Sequence, residues 1–161
     1  MEIRPVRYDH PDAIRLDEEV QQEYVRRYGG DGDVTPLAPE MFLPPHGLYL
    51  IAYEAGRPLA TGGWRVQDDT ASGYAAGDAE IKRMFVVPTA RGRGLARRIL
   101  AALETDARAA GRLRMVLETG TEQPEALALY ASSGYALVAK FGHYRTYESS
   151  RCMAKPLVGD A

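Results

Sequence analysis

Residues 80–100 read EIKRMFVVPTARGRGLARRIL, and this stretch carries the most information about the fold. It begins as an apolar strand, continues after a proline as a short turn of arginine and glycine, and then enters a helix at once. The helix is predicted over residues 92–110, because Leu95, Ile99 and Leu103 recur on one helical face. The stretch therefore predicts a strand–turn–helix unit with the turn at the N-terminus of the helix.

The turn has the properties of an anion-binding site. Backbone N–H groups in the first turn of a helix are unpaired and carry partial positive charge, which favours phosphate groups. Gly92 and Gly94 allow a close backbone approach, and Arg91 and Arg93 can supply charge-assisted hydrogen bonds. Residues 81–103 contain six lysines and arginines and no acid. The expected ligand is a cofactor that carries a pyrophosphate.

Two common phosphate-binding motifs do not fit this turn. A Walker A motif requires Gly-Lys followed by Ser or Thr, and the turn lacks that sequence. A dinucleotide-binding fingerprint requires a third glycine where this chain has Arg97, and it requires a surrounding βαβ unit. The alternative to phosphate binding is an ordinary helix start without a ligand.

The segments around this unit predict a mixed, mostly antiparallel α/β (α+β) sheet of about six to seven strands flanked by helices. A first helix is expected to be capped by Asp9 or Asp12 and to end near Tyr28, and a third helix is expected over residues 123–132. A meander of strands joined to crossover helices is typical of this class. The predicted strands cover residues 2–7, 47–54, 58–66, 79–87, 114–120, 135–140 and 147–157.

Composition and charge indicate an ordinary globular protein. The chain of 161 residues is 45% apolar and 26% charged, which suits a single domain over residues 1–161. It has no apolar run long enough to span a membrane and no signal-like N-terminal stretch. Its single cysteine, Cys152, excludes a multi-cysteine zinc site, and its net charge of −2 gives no support for nucleic-acid binding. These features predict a cytoplasmic protein without a metal, membrane or nucleic-acid partner.

Two segments resemble motifs of the GNAT superfamily of N-acetyltransferases. The stretch from Arg91 to Ala96 is similar to the family signature Arg/Gln-x-x-Gly-x-Gly/Ala. Residues 123–135 read QPEALALYASSGY and are similar to the family motif Asn-x-x-Ala-x-x-Leu-Tyr…Gly-Phe, with Gln123 where the family usually has Asn. Both motifs occur in the family order and spacing, and the resemblance covers residues 79–135.

The resemblance implies acetyl-CoA as the acyl-donor cosubstrate and GNAT-like sheet topology. In the family, the turn holds the pyrophosphate, and the backbone of the preceding strand separates from its neighbour and pairs with the pantetheine arm. The side chains of that strand are also expected to pack in the core. The residues implied in cofactor binding are Met84, Phe85, Val86, Arg91, Gly92, Arg93, Gly94, Leu95, Ala96 and Gln123.

The resemblance also implies two catalytic residues. Acetyl transfer requires a neutral amine, so a general base must take a proton, directly or through water, and Glu80 matches the family glutamate in that role. Tyr130 matches the tyrosine that gives a proton to the departing thiolate. Without the resemblance, Glu80 would be interpreted as an ion-pair partner of Lys82 or Arg65, and Tyr130 as a core aromatic with one polar end.

The sequence therefore predicts an N-acetyltransferase that moves an acetyl group directly from acetyl-CoA to a primary amine of a small molecule or peptide. A module of the same fold that binds acyl-CoA without turnover is the alternative. Homodimers that form through the final strands are common in the family, so the resemblance also suggests a homodimer. The nine acids between residues 9 and 40, together with Glu118 and Glu122, further suggest that a cationic amine is attracted to the cleft.

Overall fold

The computed structural model describes residues 1–157, which form seven strands and three α-helices. The helices are α1 (Pro11–Tyr28), α2 (Leu95–Ala109) and α3 (Pro124–Ser132). The strands are β1 (Glu2–Pro5), β2 (Gly47–Glu54), β3 (Arg57–Gln67), β4 (Asp78–Val86), β5 (Arg114–Gly120), β6 (Ala136–Val138) and β7 (Ser150–Pro156). None of the helices in these residues is long and apolar enough to cross a membrane.

All seven strands belong to one sheet, in the order β1-β2-β3-β4-β5-β7-β6. Every neighbouring pair is antiparallel except β4 and β5, which are parallel. The prediction of a mixed, mostly antiparallel sheet of about six to seven strands is therefore confirmed. β1 lies at the edge of the sheet, a position that suits Pro5 because proline has no N–H group to donate.

The parallel pair β4–β5 is short. Only Asp78–Glu80 of β4 pairs with Arg114–Val116 of β5, although β4 continues to Val86 and β5 to Gly120. The second half of β4 remains paired with β3 on its other side, as far as Val86. One edge of β4 is therefore free of strand pairing beyond Glu80, and the two strands separate there.

Several element boundaries differ from the sequence-based expectation for local reasons. His10, and not Asp9 or Asp12, caps α1, because its Nδ1 accepts a hydrogen bond at 3.0 Å from the N–H of Asp12. α2 begins at Leu95 instead of residue 92, since Gly94 has a φ of 77° that is incompatible with a right-handed helix. The two closing strands are shorter than predicted, because residues 139–149 form a loop with its own turns.

The sheet has a bulge in β4 that faces Gly62 of β3. Thr61 pairs with Phe85 and Gly63 pairs with Lys82, so two residues of β4 lie opposite Gly62. One of these is Arg83, which has a left-handed φ of 63°. As a result, Lys82 and Arg83 both project toward the face of the sheet that α1 covers, and the alternation of the residues that pack against α2 shifts by one position between Ile81 and Met84. Those residues are Ala79, Ile81, Met84 and Val86.

Close packing at the bulge leads to a prediction about stability. A Cβ at Gly62 would overlap Sδ of Met84 and lie 3.1 Å from Cγ2 of Ile99. We expect Gly62→Ala to lower the free energy of unfolding by about 1–3 kcal/mol, the usual cost of overfilling a core, as measured by urea denaturation. In a Met84→Ala background the same change should cost less, because the main overlap is gone. An equal cost in both backgrounds would contradict this account of the bulge.

Candidate active site

The separation of β4 and β5 opens into a cavity of about 540 Å³. Its walls come from the C-terminal part of α1 and the loop after it, the separated parts of both strands, α3, and the loop before β7. Because the cavity lies at the C-terminal ends of two parallel strands, side chains from both faces of the sheet reach it. Among the residues that the sequence singled out for the site, Met84, Gln123 and Tyr130 line it.

Tyr130 approaches the cavity from the face of the sheet that α2 and α3 cover. Its ring packs edge-on against Tyr135, with 5.8 Å between the ring centroids, and the side chain is buried in the apolar cluster under α2. No hydrogen bond joins its hydroxyl to another residue within 1–157. Burial raises the pKa of the Tyr130 phenol, so the hydroxyl keeps its proton at neutral pH.

Glu80 lies beside the large cavity but does not line it. Nε of Arg65 donates a hydrogen bond to Oε1 of Glu80 at 3.0 Å, and the hydroxyl of Tyr74 donates to Oε2. The carboxylate is 3% exposed and faces a second, small cavity of about 20 Å³. Of the two ion-pair partners considered for Glu80, Arg65 is the one observed. The catalytic role of Glu80 stays a prediction.

Glu118 on β5, which the sequence suggested only as an acid that attracts a cationic amine, lines both cavities. The Ser150 hydroxyl donates a hydrogen bond to its Oε1 at 3.0 Å. Burial raises the pKa of Glu118 to about 7. The sequence signal for a role of Glu118 in the site was its position as the single acid of the apolar strand RMVLETG. An acid inside a buried strand needs either a partner or a function.

An ion-pair cluster around Asp33 holds the loop after α1 against the sheet. Nζ of Lys82 lies 3.1 Å and Nη1 of Arg83 lies 3.2 Å from Oδ2 of Asp33. The Gln21 side chain donates to the backbone carbonyl of Asp33 and accepts from its N–H, and the Tyr144 hydroxyl bonds Oδ1. Burial acts to raise the pKa of Asp33, but the two neighbouring cations lower it below its ordinary value. Asp33 is therefore a fixed negative charge in the cavity wall.

The acid-rich segment over residues 9–40 is largely neutralised by the chain's own cations. Besides Asp33, its ion-paired acids are Asp9 with Arg7, Asp12 with Arg15, Asp17 with Arg83, and Glu23 with Arg91. Of the nine acids, only Asp31 and Asp33 line the large cavity. The segment therefore contributes less free negative charge to the cavity than its composition suggests.

The turn before α2 lies at the surface, beyond the free edge of β4. Gly92 and Gly94 have φ values of 81° and 77°, and a Cβ at either position would meet no atom within 4 Å. In the described part of the chain, no backbone N–H of residues 92–97 donates a hydrogen bond. The Arg91 side chain donates to the carbonyl of Val86 at 3.0 Å and to Glu23 at 2.8 Å, and Arg93 pairs with Glu54. The turn thus offers open space, unpaired donors and two exposed arginines.

The chain of β4 that leads to this turn has the core packing expected from its sequence. Phe85 is buried against α1, and Met84 and Val86 pack against the cluster under α2. Gln123 lies at the start of α3, where its side-chain oxygen accepts a hydrogen bond from the Tyr28 hydroxyl at 3.1 Å.

Comparison with known proteins identifies the class to which this fold and cavity belong. Residues 13–135 match the acetyltransferase (GNAT) family, and the chain therefore belongs to that family. It is an N-acetyltransferase, a member of a family of acetyl-CoA-dependent transferases. The sequence-based predictions of family, fold class and enzyme class are confirmed, rather than the alternative of a binding module without turnover.

Individual relatives agree with this assignment. A protein of Azospirillum brasilense named IAA acetyltransferase is 42% identical over 109 residues, which cover 68% of this chain and 67% of that protein. A Klebsiella pneumoniae structure described as an acyl-CoA N-acyltransferase is 28% identical, with a TM-score of 0.75 and 97% of each chain covered. The structure of an aminoglycoside 6'-N-acetyltransferase with coenzyme A shares the fold, at 14% identity and a TM-score of 0.70 over 100% of this chain and 99% of the other.

Proposed function

We propose that this enzyme moves the acetyl group of acetyl-CoA directly to a primary amine of a small molecule or peptide. The observation that carries the proposal is the gap between β4 and β5, where a protonated tyrosine and the half-buried carboxyl group of Glu118 line one cavity. Bound acetyl-CoA supplies the acetyl group as a thioester, so that a C–N bond forms, the C–S bond breaks and CoA leaves as the thiol. A volume of about 540 Å³ is in the range of small-molecule sites.

The surface turn fits the diphosphate part of the cosubstrate. We assign pyrophosphate binding to the unpaired N–H groups of Gly92, Arg93, Gly94, Leu95 and Ala96 and to the side chains of Arg91 and Arg93. The free edge of β4 at Met84, Phe85 and Val86 would pair with the amide groups of the pantetheine arm, as an added strand does. Gln123 at the start of α3 closes the other side of the cavity.

Proton transfer involves groups on the two faces of the sheet. Tyr130 would give its phenolic proton to the leaving sulfur and regain one from the amine nitrogen. A carboxylate would take the other proton, which the acceptor loses when its ammonium form becomes the neutral nucleophile. Two carboxyl groups are candidates: Glu80, which the family resemblance implies and which would have to act through water, and Glu118.

An amine panel tests the proposed reaction. With acetyl-CoA and purified enzyme, we expect at least one class of primary amine to gain one acetyl group, as detected by mass spectrometry. Tertiary amines, which have no N–H to lose, serve as the negative control. CoA release without an acetylated amine, or an acetylated form of the enzyme that precedes product, would contradict direct transfer.

The pyrophosphate assignment predicts weaker CoA binding when the two arginines of the turn are removed. We expect the Arg91→Ala/Arg93→Ala double variant to bind CoA about tenfold or more weakly, because each charged hydrogen bond contributes on the order of 1 kcal/mol. Its affinity should also depend less on salt. Titration calorimetry measures both effects. Arg26→Ala/Arg57→Ala is a control with the same charge change at exposed positions, and equal affinity loss in both double variants would overturn the assignment.

The role of Tyr130 predicts a defect in turnover without a defect in binding. Tyr130→Phe keeps the ring packing and removes only the hydroxyl, so we expect kcat to fall about tenfold or more while CoA affinity and melting temperature stay close to wild type. Tyr49→Phe is a matched control, because Tyr49 is fully buried against α1 and does not line the cavity. Full kcat in Tyr130→Phe would reduce this tyrosine to a packing residue.

A further inference from the structure

The carboxyl group of Glu118 faces the large cavity, whereas that of Glu80 does not. We infer that Glu118 takes the proton of the acceptor amine and that Glu80 has a positioning role. This inference rests on the proposed function, since it names the group that would perform the deprotonation. Family resemblance implied only Glu80, so the assignment to Glu118 comes from the arrangement of the side chains in this structure.

Glu118 lies just beyond the last residue pair of β4 and β5. Pairing ends at Glu80 and Val116, so Glu118 is the first residue of β5 after it that projects to the same face as Val116. Across the sheet its neighbour is Cys152 of β7, and Ser150 lies beside it on the same face. Leu117, which projects to the opposite face, belongs to the cluster under α2 that contains Tyr130. Glu118 and Tyr130 thus reach the gap from opposite faces of the sheet.

The two oxygens of the Glu118 carboxyl group have different surroundings. Oε1 accepts the hydrogen bond from Ser150, which fixes the orientation of the group. Oε2 accepts no hydrogen bond from residues 1–157, and it is not among the buried polar atoms without a partner, so it is open to the cavity. An amine in the cavity can therefore reach Oε2 without displacing a protein donor.

Both oxygens of Glu80 are already occupied. Arg65 reaches Oε1 through Nε at 3.0 Å and through Nη2 at 2.9 Å, and the Tyr74 hydroxyl occupies Oε2. An amine could reach the Glu80 carboxylate only by displacing one of these donors, and an Arg65 guanidinium without its counter-charge is costly in a buried site. The ion pair links β3 to β4 next to the point where β4 and β5 separate, which is a positioning role.

Charged and titratable groups surround Glu118 on every side. Lys82 and Glu80 face it from β4, Asp33 from the loop after α1, Tyr24 and Tyr28 from α1, Tyr144 from the loop before β7, and Ser150 and Cys152 from β7. Burial, Asp33 and Glu80 raise the pKa of Glu118, whereas Ser150 and Lys82 lower it, with a result of about 7. A base with this pKa is deprotonated at slightly alkaline pH and still binds a proton strongly enough to accept one.

The proton-transfer step is balanced within the cavity. The acceptor enters as an ammonium ion, one N–H bond breaks, and the proton forms an O–H bond with Oε2 of Glu118. The electron pair of that N–H bond stays on nitrogen as the lone pair of the neutral amine. After the product leaves, the Glu118 carboxyl group returns the proton to water.

A pH profile of Glu118→Gln beside Glu80→Gln tests the assignment. In wild type, kcat/KM should rise with pH through about 7, because Glu118 must be deprotonated to accept the proton. Glu118→Gln should lower kcat/KM by roughly 10²-fold near neutral pH, with a deficit that shrinks at high pH, where more acceptor is already neutral. Glu80→Gln should lose stability but keep the rise, moved to somewhat lower pH because the Glu80 charge raises the pKa of Glu118. Glu2→Gln, an exposed change on the edge strand β1 and outside both cavities, is the matched control and should leave the profile unchanged.

A titration of the free enzyme gives a readout that does not depend on activity. With carboxyl-¹³C glutamate, the NMR signal that is lost in Glu118→Gln should titrate near pH 7 in the wild-type protein. Ser150→Ala removes a hydrogen bond that lowers this pKa, so both the NMR midpoint and the kinetic rise should move to higher pH. If the Ser150 hydroxyl only stabilised the fold, its removal would not shift the NMR midpoint and the kinetic midpoint together. This variant also tests the proposal if Glu118→Gln does not fold.

The outcomes separate failure of this inference from failure of the proposed function. Near-wild-type kcat/KM in a folded Glu118→Gln enzyme, or loss of the pH rise in Glu80→Gln alone, would overturn the role of Glu118 and leave the acetyl transfer intact. A Glu118 signal that titrates at the ordinary glutamate value would also overturn it. If the wild-type enzyme acetylates no amine in the panel, the proposed function is wrong, and the inference about Glu118, which rests on it, is then wrong as well.

Discussion

The early end of the β4–β5 pairing is the constraint on which the site depends. Backbone groups in a sheet require partners, yet β4 continues to Val86 with its β5-facing edge free beyond Glu80. Pairing with β3 keeps that part of β4 extended, and within residues 1–157 the Arg91 side chain bonds the Val86 carbonyl on the free edge. A ligand with amide groups can fill the free edge as a strand would. The gap also admits side chains from both faces of the sheet.

The bulge at Arg83 couples the gap to the loop after α1. A left-handed φ at a residue other than glycine is strained, so the surrounding contacts must hold it in place. Arg83 is held by ion pairs to Asp17 and Asp33 at 3.0 and 3.2 Å, and the neighbouring Lys82 also binds Asp33. Because the bulge directs Lys82 and Arg83 to one face, Asp33 can pair with both of them. These ion pairs hold the loop after α1 against the sheet. The acids that the sequence suggested for acceptor binding largely serve this internal pairing.

The two faces of the sheet separate the two groups that we propose for proton transfer. The face under α2 and α3 is apolar and holds Tyr130 with its pKa raised by burial, whereas the opposite face holds Glu118 among ion pairs. A proton donor and a proton acceptor in one polar pocket would bond each other instead of the substrate. Their separation by the sheet leaves each of them free at the gap, because both faces open to the same volume there.

The sequence by itself determined the order of elements, the sheet class, the surface turn before α2 and the family, because periodicity, glycine and proline positions and two spaced motifs are local properties. It also singled out Tyr130, which belongs to a motif and lines the large cavity. Only the tertiary structure decided the state of the carboxyl groups. Glu80 and Arg65 are 15 residues apart, and Glu118 and Ser150 are 32 apart, so strand pairing alone brings each pair together. Whether a buried carboxylate is an ion pair or an open base depends on those distant partners, which local sequence patterns do not specify.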